Sequence, residues 1–419
     1  MAEGAIAPTR RDRSEVTGRV CHRSSDESTT ISPRVHLHPW QTRNVSDTPQ
    51  ITIPSDLLPS DGRFGSGPSK VRPEALAALA ATGTSYMGTS HRRPAVRDVV
   101  ARLQDGMRTF FSLPDDWQVV LGNGGATLLW DALTFGFVDH RSQHLSFGEF
   151  SSKFAACAAA APHLDDPMVV ESAMGTRPDL VADESIDVYA YPHNETSTGV
   201  AVPVHRPEGA SGLVAVDATS GAGGLRWNTD DCDLYYFAPQ KCFGGDGGLY
   251  VALASPAAIA RIEGIKASGR WIPAGLDLSI ALDNSRKNQT YNTPALATIF
   301  LTVHMTEWMN EQGGLEWAAS RCDESAAHVY GWADGHELAT AFVRDPDDRS
   351  HVVATIDFDE SVSADDIAAI LRRNGIVDTE GYRKLGRNQL RLSMFPGIEP
   401  ADLGQLTASI DHVLGELTA

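Results

Sequence analysis

From about Pro54 onward, short runs of β-branched and aromatic residues alternate with stretches of helical periodicity. That alternation predicts an α/β fold with a largely parallel sheet flanked by helices. The stretch WQVVLGNGGATLLWDALTFGF, residues 117–137, shows the unit: strand, glycine turn, helix. Further strands are predicted at DVYAY (187–191), GLVAVD (212–217), DLYYF (233–237) and GLYVAL (248–253). Some of the intervals have room for a helix and others only for a tight turn.

After residue 300 the pattern changes. A long helical stretch leads to a strand HVVATIDF (351–358), a helix over 363–373, a strand QLRLSMF (389–395) and a last helix. In that helix Leu403, Leu406, Ile410, Val413, Leu414 and Leu417 form one apolar stripe. The expected organisation is a large domain over 51–310 and a small α+β domain over 311–419, with no internal repeat. Residues 1–48 carry seven Arg, six Asp plus Glu and twelve Ser plus Thr with little periodicity. This composition predicts a disordered extension over 1–50, to which no function is assigned.

Composition adds limits. At 419 residues and 42% hydrophobic content the chain reads as a soluble globular protein with a well-buried core. Its longest apolar runs, such as FAACAAAA at 154–161, fall short of the ~18–20 residues that a membrane span needs. The N-terminal stretch has no apolar segment of signal-peptide length, so a cytoplasmic protein is expected. Five widely spaced cysteines, with no C-x-x-C pair, predict reduced thiols and no metal site. A net charge of −19 opposes a nucleic-acid partner, so any basic site has to be local. Two such clusters occur, SHRRP (90–94) and YRKLGRNQLR (382–391).

Candidate chemistry centres on Lys241, which sits between the strand DLYYF and the glycine-rich run GGDGG. A lysine at a strand end is ordinarily a solvated surface residue. Here the small neighbours allow a cofactor to approach closely, and a partly desolvated amine is the form that builds a Schiff base. Asp217 ends the strand GLVAVD. Taken alone it reads equally well as a turn cap or as a buried carboxylate that needs a cation. The stretch GNGGAT (122–127) opens a helix with a glycine turn, so the amides near Ala126 and Thr127 would face an anion. By itself that turn is a weak signal, and it lacks the dinucleotide-binding pattern and the P-loop lysine.

A phosphate cradle, a carboxylate for a pyridine nitrogen and a Schiff-base lysine, in that chain order, resemble the fold type I aminotransferases that use pyridoxal 5'-phosphate. Within them the chain is similar to the phosphoserine aminotransferase family, in wording close to its actinobacterial branch. FGSGPSKV, TSHRRP, GNGGAT, HNETSTGV, DATSGAGG, APQKCFGGDGG, NQTYNTPA and GIVDTEGYRKLGRNQLRLSMFP carry the resemblance, in the family's order from residue 61 onward.

The resemblance implies a large domain with a mostly parallel sheet, a small α+β domain, and ping-pong transamination between phosphoserine plus 2-oxoglutarate and 3-phosphohydroxypyruvate plus glutamate. That reaction belongs to L-serine biosynthesis, and some members also act on a phosphorylated threonine analogue in pyridoxine (vitamin B6) biosynthesis. Lys241 would hold the cofactor and act as the base, with Asp217 at the ring nitrogen and Thr196 near the ring hydroxyl. Phe150 falls where the family stacks an aromatic on the ring, often tryptophan; its ordinary reading is a core phenylalanine. Ala126, Thr127 and Gln240 would bind the cofactor phosphate, joined by Asn292 and Thr293 from the second subunit of a homodimer with composite sites.

Arg391 would hold the substrate α-carboxylate, and His91 and Arg92 the distal anion. Where the family commonly adds a His-Arg pair, this chain has Arg383, Lys384 and Arg387 and no histidine. Without the rest of the pattern these cations read as a solvated face. Rival readings are an alanine–glyoxylate type aminotransferase, which has no need of a distal cation pair, and a pyridoxal-phosphate-binding module without chemistry.

Overall fold

Strands Gln118–Asn123 (β1), Ser142–Ser146 (β2), Met168–Glu171 (β3) and Val188–Pro192 (β4) begin the chain's main sheet. A short hairpin, Asn194–Glu195 (β5) and Val200–Ala201 (β6), precedes Leu213–Asp217 (β7), Leu234–Phe237 (β8) and Leu249–Ala254 (β9). The computed structural model describes residues 48–419. Most of the expected extension therefore lies outside the described residues. Its last residues are described, and the Thr48 hydroxyl donates to Asp366 at 2.8 Å.

Among the described residues the main sheet has seven strands in the order β1-β9-β8-β7-β4-β2-β3. β9 runs antiparallel to both of its neighbours, and every other pairing is parallel. The sheet is thus mostly parallel, as expected. Its strands read as continuous apolar runs because both faces are covered. Side chains alternate between the faces: Val119, Tyr189, Val214, Tyr235 and Val251 join one core cluster, while Val120, Val188, Ala215, Tyr236 and Tyr250 join another.

Helix Pro73–Ala81 (α1) packs near the first face, and Pro94–Phe110 (α2) covers it with Val96, Val100, Leu103 and Met107. Ala126–Gly136 (α3), Glu149–Ala160 (α4), Pro256–Ala267 (α5) and Leu278–Ser285 (α6) cover the second face. Leu296–Gln312 (α7) returns to the first. α7 is apolar on most sides rather than along one stripe, as befits a helix buried between layers.

Helix Gly314–Asp334 (α8) leads into the C-terminal part, where Ala339–Ala341 (β10), Val353–Phe358 (β11) and Gln389–Ser393 (β12) form an antiparallel sheet. Ala364–Arg373 (α9) and Pro400–Thr418 (α10) complete it. α9 starts at Ser363, whose hydroxyl accepts the Asp366 amide, the N-cap that its position favours. The apolar stripe of α10 is buried as expected: Leu403, Leu406, Ile410, Val413 and Leu414 join a cluster with Ile356, Ile367, Ile370 and Leu390.

None of the helices among the described residues is long and apolar enough to cross a membrane. The described cysteines, Cys157, Cys232, Cys242 and Cys322, are free thiols; Cys21 lies outside the described residues.

Candidate active site

The carboxyl ends of β1, β4, β7 and β8 all open at the same edge of the sheet, the place where open α/β sheets bind ligands. A cavity of about 370 Å³ lies there, and Lys241, Asp217, Thr196, Gln240, Phe150, Ala126 and Thr127 all line it. Seven of the expected residues, drawn from five separate stretches of chain, therefore meet around one space.

Lys241 lies in the turn between β8 and β9. Its Nζ donates to the carbonyl of Ser66 at 2.5 Å. Burial lowers its pKa to about 8, helped by the positive charge of Arg391 and opposed by Asp217 and Glu195. Near neutral pH such an amine has a usable neutral fraction. Gly67 adopts φ +135°, and a Cβ there would stand 2.2 Å from the lysine Nζ. That position admits only glycine while the lysine keeps its place.

Asp217 ends β7 at the cavity floor. Its Oδ2 accepts the Trp130 indole N–H at 2.9 Å and its Oδ1 the Thr219 amide at 2.9 Å. Burial raises its pKa, and these hydrogen bonds pull it back down. No cation among the described residues is paired with it, so a cationic guest would relieve the desolvation.

The glycine turn holds Gly124 at φ +110° and Gly125 as the residue before α3. The first amides of α3, at Ala126 and Thr127, have no acceptor within the helix. Beside them, Gln240 Oε1, Asn194 Oδ1 and Thr219 Oγ1 are buried without a partner. Buried polar atoms are normally satisfied, so this lining fits a polar guest: the two amide oxygens accept and call for a donor on it, while the first amides of α3 favour its anion. Ser220 ties the next layer together: its hydroxyl accepts Thr196 Oγ1 at 2.8 Å and Asn194 Nδ2 at 2.9 Å.

Phe150 stands in the first turn of α4, and its ring lies 5.8 Å from that of Tyr382. Glu195 fixes that turn. Its Oε2 accepts the amides of Phe150 at 3.0 Å and Ser151 at 2.7 Å, and its Oε1 accepts the amide and hydroxyl of Ser197. Glu195 is fully buried, and a Cβ on Gly148 would stand 2.3 Å from its Cγ. The carboxylate thus caps α4 from a strand 45 residues away in sequence.

Arg391, on β12, reaches Thr196 O with Nη1 at 3.4 Å, and its Nε is buried without a partner. Its guanidinium lies over the Tyr382 ring at 5.3 Å. Among the described residues no carboxylate pairs with it, which leaves its fork free for one.

His91, Arg92, Asn292 and Thr293 gather elsewhere. Thr293 Oγ1 lies 3.2 Å from His91 Nδ1, Arg92 Nη1 donates to Gln289 Oε1 at 3.0 Å, and Asn123 Nδ2 donates to the Asn292 backbone oxygen at 3.2 Å. His91 Nε2 is buried and unpartnered. This group stands outside the cavity lining of its own chain.

Arg383 and Lys384, in a short turn over 383–385, do not line the cavity either. Lys384 is engaged in an ion pair with Glu149, and Arg387 is paired with Asp357.

The structure adds lining residues that sequence reasoning missed: Trp130, Asn194, Thr219, Ser220, Asp246 and the Gly67–Pro68 turn. Trp130 carried a usable signal, since it follows Ala126 by four residues and shares its helix face. A larger groove of about 520 Å³ is lined by Arg177, Phe342, Arg344, Asp348 and the Arg387–Asp357 pair, and none of the cavity-lining residues reaches it.

Comparison with known proteins gives the same direction. Residues 172–386 match the family described as aminotransferase class-V. A phosphoserine aminotransferase of Rhodococcus jostii (strain RHA1) is 58% identical over 366 residues, covering 87% of this chain and 98% of that protein. The crystal structure of a phosphoserine aminotransferase from Cytophaga hutchinsonii superimposes with TM-score 0.77 at 24% identity, over 84% of this chain and 99% of that one. A PLP-bound phosphoserine aminotransferase from Trichomonas vaginalis superimposes with TM-score 0.71 at 20% identity, over 84% of this chain and 99% of that one.

Proposed function

The chain belongs to the aminotransferase class-V family, and from that premise we infer that it acts as a pyridoxal-phosphate-dependent phosphoserine aminotransferase of L-serine biosynthesis. It interconverts O-phospho-L-serine plus 2-oxoglutarate with 3-phosphohydroxypyruvate plus L-glutamate. The observation that carries this reading is the 58% identity along nearly the whole Rhodococcus enzyme. An alanine–glyoxylate type activity and a non-catalytic module are not favoured by such a relative.

Pyridoxal phosphate supplies an electron-withdrawing ring that makes the substrate α-proton acidic. Everything else is work for the chain's own residues. The amides of Ala126 and Thr127, with Gln240, would hold the phosphate at the α3 N-terminus. Asp217 would keep the ring nitrogen protonated. Lys241, with its pKa near 8, would bind the cofactor aldehyde, be set free when the substrate amine takes its place, then take the substrate Cα proton on Nζ and deliver it to the carbon that had been the aldehyde. Arg391 would clamp the α-carboxylate of either amino donor, and Thr196 and Phe150 would orient the ring from its edge and face.

The distal anion would be met by His91 and Arg92. Because these stand with Asn292 and Thr293 outside their own cavity, a second copy of the chain would deliver the group to its neighbour's site in a twofold dimer. Lys384 would join the distal site only if its Glu149 pair opens, with Arg383 in the same turn. The division into parts at about 310 belongs to the same reading, with Arg391 brought from the smaller part, as does a cytoplasmic location. A direct test is steady-state assay of 2-oxoglutarate formation from glutamate. Turnover with 3-phosphohydroxypyruvate far above that with pyruvate or glyoxylate is expected, and the reverse preference would overturn the assignment.

A further inference from the structure

Two hydrogen bonds of different kinds hold Asp217, and the Thr219 side chain acts on it beside them. The Thr219 amide is backbone, which any residue at that place would supply. The other donor is the indole N–H of Trp130, 2.9 Å from Oδ2 and contributed by α3 on the far side of the cavity floor. Trp130 is 3% exposed and lines the cavity. An indole nitrogen only donates, so this contact can serve only an acceptor. It is made to a carboxylate that sits in the cavity with no cation.

We propose that Trp130 is a positioning residue for Asp217: its N–H fixes one carboxylate oxygen, so that the carboxylate is already oriented toward the cofactor's ring nitrogen before the cofactor binds. The inference rests on the cofactor assignment above. Its physical basis is the cost of a desolvated carboxylate. Burial drives Asp217 toward its neutral form, and the hydrogen bonds from Thr219 and Trp130 act against that. A neutral acid could no longer hold a protonated ring nitrogen as an ion pair. Trp130 also joins the core cluster with Leu129, Leu133 and Tyr236, so a purely space-filling role is the alternative to be separated.

The test compares two ligands on the full chain: pyridoxal phosphate, and its carbocyclic analogue in which C–H replaces the ring nitrogen. Dissociation constants are measured for wild type, Trp130→Phe and Asp217→Ala. Loss of a charge-assisted hydrogen bond should weaken pyridoxal phosphate about ten- to a hundredfold in Trp130→Phe and leave the analogue within about twofold of wild type. Adding Trp130→Phe to Asp217→Ala should then cost little more.

Equal losses for both ligands, or no loss for pyridoxal phosphate, would overturn the proposal. Trp130→His, whose ring keeps an N–H, should hold pyridoxal phosphate more tightly than Trp130→Phe. A histidine variant as weak as the phenylalanine one would also overturn it. Wild type that takes up neither ligand would instead contradict the cofactor assignment, and this inference with it.

Discussion

The side chain of Lys241 is anchored on the carbonyl of Ser66, 175 residues earlier in the chain. Gly67, the next residue, leaves no room for a Cβ beside that amine. Gly67→Ala should therefore displace the lysine and also strain a backbone at φ +135°. A loss of transaminase activity of at least about tenfold is expected, as misplacement of a reacting group commonly costs. A variant with wild-type kcat would show that the lysine tolerates another position.

The lowered pKa of Lys241, about 8 against an ordinary 10.5, has a sign that can be checked in the protein freed of cofactor. The rate of acylation of Lys241 should rise through a midpoint near pH 8 rather than near 10. Arg391→Ala removes a neighbouring positive charge, so its midpoint should move to higher pH. In stability the unfolded chain holds the proton more tightly between pH 8 and 10.5. The cost of the buried amine is thus full below pH 8 and fades as pH rises through that window. A midpoint above pH 10 in the wild type would contradict this.

Glu195→Ala would leave the amides of Phe150, Ser151 and Ser197 without their acceptor. A destabilisation of about 3–5 kcal/mol is expected, read from urea unfolding. The cavity side chain Phe150 should loosen with its helix turn. A change below about 1 kcal/mol would mean that water replaces the carboxylate.

Subunit exchange tests where Arg92 acts. Two inactive variants, Lys241→Ala and Arg92→Ala, are mixed under conditions that reshuffle dimers. If Arg92 serves the neighbour's cavity, about a quarter of wild-type phosphoserine activity should return, because half of the dimers then hold one intact site. No recovery would place Arg92 in its own chain's site or deny the dimer.

The sequence made the parallel core legible because each strand there is apolar on both faces and ends at a turn with its own signature. Asp217, Lys241 and the amides of Ala126 and Thr127 all sit at such ends, so the local pattern exposed them. Trp130, Glu195 and Ser66 were not legible as partners. Each acts through a contact 87, 45 or 175 residues away, and neither periodicity nor spacing encodes such a contact. Lys384 shows the converse: its charge marked it for substrate, yet Glu149 is nearer.

In the proposed function Lys241 and Asp217 hold pyridoxal phosphate in a site selective for a phosphorylated amino acid. The visible spectrum of the purified holoenzyme, recorded before and after O-phospho-L-serine with L-alanine as control, tests it most directly. The yellow absorption of the lysine-bound cofactor is expected to be lost with phosphoserine and to persist with alanine. A yellow band unchanged by phosphoserine, or a protein that pyridoxal phosphate cannot colour, would contradict it.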